Sequence, residues 1–182
     1  LGYAFSATRA ELQAGVPPKM LGLYSSSHMP YTLDHRNTPT LARYVPTLAE
    51  MTQAALDSLS KSSHGFLLQV EGARVDHAAH ANDAAGLLWD QLAFDDAIAT
   101  VLRFAEKHPD TLVVMTSDHG NSNPGLVGMG DEYRDSTACF ERLQRAKASF
   151  TTVSPLLAGS AEYTMKAEGK VERREPPTAA RV

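Results

Sequence analysis

The sequence predicts an α/β fold, a three-layer α/β/α sandwich around a mostly parallel sheet. Three observations carry that expectation. Phe66-Leu67-Leu68-Gln69-Val70 is a short, nearly continuous apolar run bounded by Gly65 and Gly72, the pattern of a strand covered on both faces. Leu112-Val113-Val114-Met115 is a second such run. Between them, Ala81 to His108 has a helical apolar seam of Leu88, Leu92, Ala99 and Leu102, widened by Phe94, Ile98, Val101 and Ala105. Strand, long helix and strand within about fifty residues is the length a right-handed crossover needs.

Taken in order, residues 1–40 read as irregular with short structured pieces. Arg9 to Ala14 is expected to form a turn or two of helix, stopped by Gly15 and Pro17-Pro18. Met20 to Tyr24 is a short apolar run with the character of an inner strand. Ser25 to Pro39 is rich in Ser, Pro, Asn and Asp and reads as loop. His28, Asp34 and His35 lie in it and are read as ordinary polar loop residues. Pro46 to Lys61 is a predicted helix, because Thr47 and Glu50 have capping-box spacing and Leu48, Met51, Ala55 and Leu59 share a face. Gly120 to Gly130 carries four glycines and a proline and reads as loop. Asp135 or Ser136 is expected to cap a helix running to about Phe150. The main unit is expected over residues 1–160, with its chemistry in 65–120. Residues 161–182 read as a polar tail or linker.

Composition narrows the function classes. The chain has 182 residues, 43% of them apolar, which is enough for a real core. A net charge of -4 argues against a nucleic-acid-binding surface. No apolar run approaches the length of a membrane span. One cysteine, Cys139, excludes an internal disulfide.

The predicted strands end on groups that bind metals. Glu71 closes the first, with Asp76 and His80 just beyond it. Asp118 and His119 follow the second. Open α/β sheets place their chemistry at the C-terminal ends of their strands. Asp76 and His80, four apart on a helical turn, face the same side. Carboxylate oxygen and imidazole nitrogen suit zinc. An oxygen-only set around Glu71 suits a harder ion such as magnesium. Each of these residues alone is an ordinary helix cap or surface charge; their joint position after two strands points to a metal site.

The same residues resemble a known family. Val-Glu-Gly-Ala-Arg-Val-Asp-His-Ala-Ala-His-Ala-Asn-Asp (70–83), Phe-Asp-Asp-Ala-Ile (94–98) and Thr-Ser-Asp-His-Gly (116–120) look like the alkaline phosphatases. So do Leu-Gly-Leu-Tyr with His-Met-Pro-Tyr (21–31) and Leu-Ala-Glu-Met-Thr (48–52). The resemblance implies an alkaline phosphatase-like sandwich, incomplete in this chain. It implies two zinc ions and one magnesium ion. Asp76 and His80 would be ligands of the first zinc, Asp118 would be a ligand of the second, His119 would belong to the zinc pair, and Glu71 would hold magnesium. His77 matches a histidine-or-lysine position near the phosphate. The reaction implied is hydrolysis of a phosphate monoester, with two zinc ions clamping an in-line displacement and a serine forming a phosphoserine. A homodimer in the periplasm or outside the cell is also implied.

The chain departs from that pattern by omission. No Asp-Ser-Ala-like motif precedes Glu71, so no nucleophilic serine is expected here. The family's aspartate bridging the second zinc and magnesium has no counterpart, and no histidine follows His119. Asp135-Ser136-Thr137-Ala138 resembles the nucleophile motif but follows the Asp-His pair, and Ser136 is read as a helix cap. The chain is therefore expected to be an interior or C-terminal piece that supplies metal ligands only, inactive and prone to self-association by itself. A non-catalytic metal- or phosphate-binding module is the alternative. Another hydrolase of the same superfamily fits the motifs less well.

Overall fold

The computed structural model describes residues 2–120, 136–158, 162–165 and 171–174. The expected Gly120–Gly130 loop lies outside the described residues after Gly120 itself.

The chain opens with a small parallel unit. Strand β1 (Ala4–Ser6) pairs with β2 (Met20–Gly22), Ala4 opposite Met20 and Ser6 opposite Gly22. Helix α1 (Arg9–Gln13) makes the crossover, capped by Thr8 and Glu11 in a reciprocal capping box. Leu12, Tyr24 and Val45 form a buried cluster, with Met20, Met29, Leu41 and Met51 packed against it. Tyr24 is the polar anchor, its hydroxyl donating to Ser6 Oγ at 3.1 Å.

Two short helices follow, α2 (Thr32–Asn37) and α3 (Pro39–Tyr44). The sequence reading placed a loop over Ser25–Pro39, and α2 corrects it. Its stabilisers are distant. Buried Asp34 accepts from Ser149 N at 2.8 Å and from Ser149 Oγ at 2.6 Å. Thr32 donates its N–H and its hydroxyl to Asp90 at 3.2 and 2.9 Å. His35 Nε2 reaches the Val45 carbonyl at 2.8 Å.

Helix α4 (Leu48–Leu59) begins where the capping box placed it. Glu50 closes the box on the Thr47 N–H at 2.9 Å and also receives Arg9 Nε and Nη2 at 2.9 and 2.7 Å. Gln13 donates to the same oxygen at 3.0 Å. Burial pushes the Glu50 carboxyl up, but the hydrogen bonds from Arg9 and Thr47 and the charge of Arg9 outweigh it and hold the group below its ordinary 4.5. A carboxyl with a lowered folded value binds its proton more weakly in the folded chain than in the unfolded one. Its stabilisation is present above the unfolded value and is lost as pH falls through the folded value. Glu50→Gln is expected to flatten the acid limb of a urea-midpoint-versus-pH curve below about pH 4.5. An unchanged acid limb would count against the Arg9–Glu50 link.

Helices α5 (Ala73–His80) and α6 (Ala84–Lys107) carry the rest of the frame, and both α4 and α5 pack on α6. Asp83 caps α6, accepting from Gly86 N at 2.8 Å. Its other oxygen accepts from Phe150 N at 2.6 Å. That bond and the Asp34–Ser149 pair explain a second correction. The helix expected from Ser136 to about Phe150 is two helices, α7 (Ser136–Arg145) and α8 (Phe150–Ala158). Ser149 is captured by Asp34, and its carbonyl starts the next helix by accepting from Thr152 N and Val153 N. Within the expected polar tail, β3 (Glu162–Met165) and β4 (Val171–Arg174) pair antiparallel.

The two apolar runs differ from expectation. Residues 66–70 and 112–116 are irregular backbone, not laddered strands, and the β1–β2 and β3–β4 pairs are the ladders among the described residues. A strand needs a hydrogen-bonding neighbour, and neither run has one there. Leu68, Val70 and Val113 are half-buried, while Leu67 is 95% and Leu112 86% exposed. Phe66 is tied to the α6 side by an edge contact with Phe104, ring centroids 6.0 Å apart. One face is thus partly covered and the other is bare. The architecture is α/β, with a small parallel sheet and helices, and it matches an incomplete α/β domain.

Candidate metal centre

Helix α5 starts at Gly72, where a side chain would not fit: a Cβ there would stand 2.8 Å from Phe94 Cγ. The close approach sets α5 against α6 and turns the chain directly after Glu71. Eight residues make two turns of helix, so Asp76 and His80 share a face. His80 Nε2 lies 3.5 Å from Asp76 Oδ1. From the end of the second apolar run, His119 Nε2 comes within 3.8 Å of the same oxygen and 3.3 Å of Asp118 Oδ2. Ser117 Oγ donates to the His119 carbonyl at 2.8 Å and steadies that turn. The His80 and His119 rings are 6.5 Å apart.

Four of the five expected ligands therefore converge, from two separate segments. Glu71 sits exposed one residue before α5 and makes none of these contacts. Among the described residues, no group of three or more such side chains is drawn into a closed ion-holding geometry. The pairwise spacings still fit the chemistry. Ligand atoms at about 2.0–2.2 Å from a tetrahedral zinc stand about 3.3–3.6 Å from one another. Two of the observed separations, 3.3 and 3.5 Å, fall in that range, and both are long for charge-assisted hydrogen bonds. Carboxylate and imidazole are the donor types zinc takes.

Sequence reasoning missed the residues behind Asp76 and His80. Arg74 Nη1 lies 3.0 Å from His77 Nδ1, and the His28 ring stands 4.4 Å from the His77 ring. Burial first, then the charge of Arg74, lowers His77 below its ordinary 6.5. Arg74 stacks over Tyr31, its guanidinium carbon 3.5 Å from the ring centroid. Burial raises Asp90 above its ordinary value, and the Thr32 hydrogen bonds only partly offset that. His28 lies in a stretch of loop composition, and no spacing rule links it to His77. Ser136 opens α7 and is buried.

Comparison with known proteins follows the same residues. The family model for alkaline phosphatase matches residues 2–175. The chain belongs to the alkaline phosphatase family. A streptomycin-6-phosphate phosphatase of Streptomyces griseus is 39% identical over 143 residues, covering 66% of this chain and 32% of its own length. An alkaline phosphatase of Escherichia fergusonii is 37% identical over 142 residues, covering 67% of this chain and 30% of its own. Among solved structures, Thermus thermophilus alkaline phosphatase superposes with a TM-score of 0.80 at 39% identity, over 87% of this chain and 33% of that one. A cold-active alkaline phosphatase from Shewanella gives 0.71 at 32% identity, over 87% and 36%. The chain thus spans about a third of the length of these relatives. Among the described residues no helix is long and apolar enough to cross a membrane.

Proposed function

We propose that this chain supplies the metal ligands of a phosphomonoesterase site. Asp76 and His80 serve a first zinc, Asp118 a second, His119 the zinc pair, and Glu71 a magnesium ion. The observation that carries the reading is the meeting of Asp76 Oδ1 with both His80 and His119 at 3.5 and 3.8 Å. Family membership and relatives named as phosphatases support it. When bound, the ions would supply charge stabilisation to an in-line phosphoryl transfer. This chain's own part is to hold carboxylate and imidazole donors at fixed spacing on α5 and on the turn after residue 116. The attacking serine, which forms the phosphoserine, comes from outside these residues, so the isolated chain is inactive. The parent protein acts on phosphate monoesters as a periplasmic or secreted homodimer.

The test is hydrolysis of an aryl phosphate at alkaline pH by the complete reading frame, loaded with zinc and magnesium. Turnover that disappears on chelation and returns with zinc is expected. No turnover from the fully loaded protein would sink the reading.

A further inference from the structure

Three helices meet at Asp83. Its backbone N–H donates to the Ala78 carbonyl at 2.9 Å and closes the end of α5. Its Oδ1 accepts from Gly86 N at 2.8 Å and opens α6. Its Oδ2 accepts from Phe150 N at 2.6 Å, at the first residue of α8. The carboxylate is seated against Gly86, where a Cβ would stand 2.9 Å from Oδ2.

The end of α5 is the part that matters for the metal centre. Asn82 takes the left-handed conformation, φ 54°, and the N–H groups of Ala81, Asn82 and Asp83 return to the carbonyls of His77, Ala79 and Ala78. A left-handed residue followed by a returning N–H stops a helix at a set place. His80 is the last residue of α5, inside that turn. Ala78 and Ala79 are 0% and 3% exposed, so the other side of the turn is packed.

The start of α8 is held independently of Asp83. Ser149 gives its N–H and its hydroxyl to Asp34 of α2, and α2 is bound to α6 through Thr32 and Asp90. Phe150 N therefore reaches Asp83 from a fixed point. The first N–H groups of a helix have no partner within it, so this one is available as a brace.

We propose that Asp83, braced by the Phe150 N–H, is a positioning residue for the zinc centre. It holds the last turn of α5 so that His80 stays beside Asp76. The inference rests on the reading of Asp76 and His80 as zinc ligands. It adds that α8, which carries none of the expected ligands, tightens the centre by fixing the helix that does.

Proline suits the first position of a helix and lacks the N–H. Phe150→Pro thus deletes the brace while Asp34 still holds Ser149. Phe150→Ala removes the same half-exposed ring and keeps the N–H. Zinc affinity is read by chelator competition, and the absorption spectrum of the cobalt-loaded chain reports ligand geometry. Phe150→Pro is expected to weaken zinc binding about tenfold, the lower end for a group that orients a metal ligand, and to alter the cobalt spectrum. Phe150→Ala is expected to change neither, and Glu50→Gln, which loosens the fold at α4, to lower stability with zinc affinity unchanged. A lower urea midpoint for Phe150→Pro with unaltered zinc affinity and cobalt spectrum would make Asp83 merely structural and overturn the proposal. So would equal zinc losses in Phe150→Pro and either control. Should Phe150→Pro not fold, Asp83→Asn is expected to weaken zinc binding in the same direction, and unchanged affinity there would overturn the proposal too. An unmutated chain that binds no zinc marks failure of the phosphatase reading, and the inference falls with it.

Discussion

Asp83→Ala is expected to destabilise the fold by about 3 kcal/mol, a large share of the roughly 5–15 kcal/mol of a typical domain. Asp83 is 1% exposed. One oxygen accepts from Gly86 N and caps α6, and the other accepts from Phe150 N and anchors α8. Hydrogen bonds to a charged group contribute about 1.5–3 kcal/mol each, and alanine would leave both donors without a partner. It would also remove the cap of the longest helix, which typically adds about 1 kcal/mol on its own. Asp83→Asn keeps one acceptor oxygen and is expected to lose about half as much. Urea midpoints of the two variants, read by far-ultraviolet circular dichroism, check the order. A shift within about 0.5 kcal/mol for the alanine variant, the size of an ordinary surface change, would mean the link to α8 is not formed.

Asp76→Ala is expected to weaken zinc binding by about a hundredfold or more. A structural zinc site with four ligands gains roughly 10–16 kcal/mol in all, so a ligand carries about 3 kcal/mol or more. Asp76 is the carboxylate that both imidazoles approach, His80 along α5 and His119 from the other segment. Its removal therefore separates the two segments as well as deleting one donor. Glu71→Ala is the contrasting variant. It makes none of the close contacts, and its loss is expected to leave zinc affinity within a few-fold while weakening magnesium binding. Chelator competition on the two variants separates the cases. Equal zinc losses in both would contradict the division of roles.

What the sequence made legible is what neighbours along the chain decide. The Thr47–Glu50 capping box marked the start of α4, and the apolar seam from Leu88 to Ala105 marked α6 within a few residues. The i,i+4 spacing of Asp76 and His80 placed them on one helical face. What it left hidden depends on partners far away. Helix α2 looked like loop because the group that holds Asp34 is Ser149, 115 positions on. The break between α7 and α8 has the same cause. The ladders expected at 66–70 and 112–116 depend on neighbours that the described residues do not provide, and an apolar run alone supplies none. At the site, the convergence of His119 on Asp76 was anticipated from strand ends, whereas the contacts of His28 and Arg74 with His77 had no pattern to announce them.

Gly72 gives the fold a limit on what its descendants can tolerate. The ring of Phe94 occupies the space that any side chain at position 72 would need. Drift at either position is therefore conditional on the other: a larger residue at 72 requires a smaller one at 94, and no single step supplies both. The two residues carry no charge and no catalytic atom. They nonetheless lie in the turn between Glu71 and the helix that carries Asp76, where the chain passes close to α6. A library that randomises the two positions together is expected to recover glycine with an aromatic, or a small residue at both, and few mixed pairs.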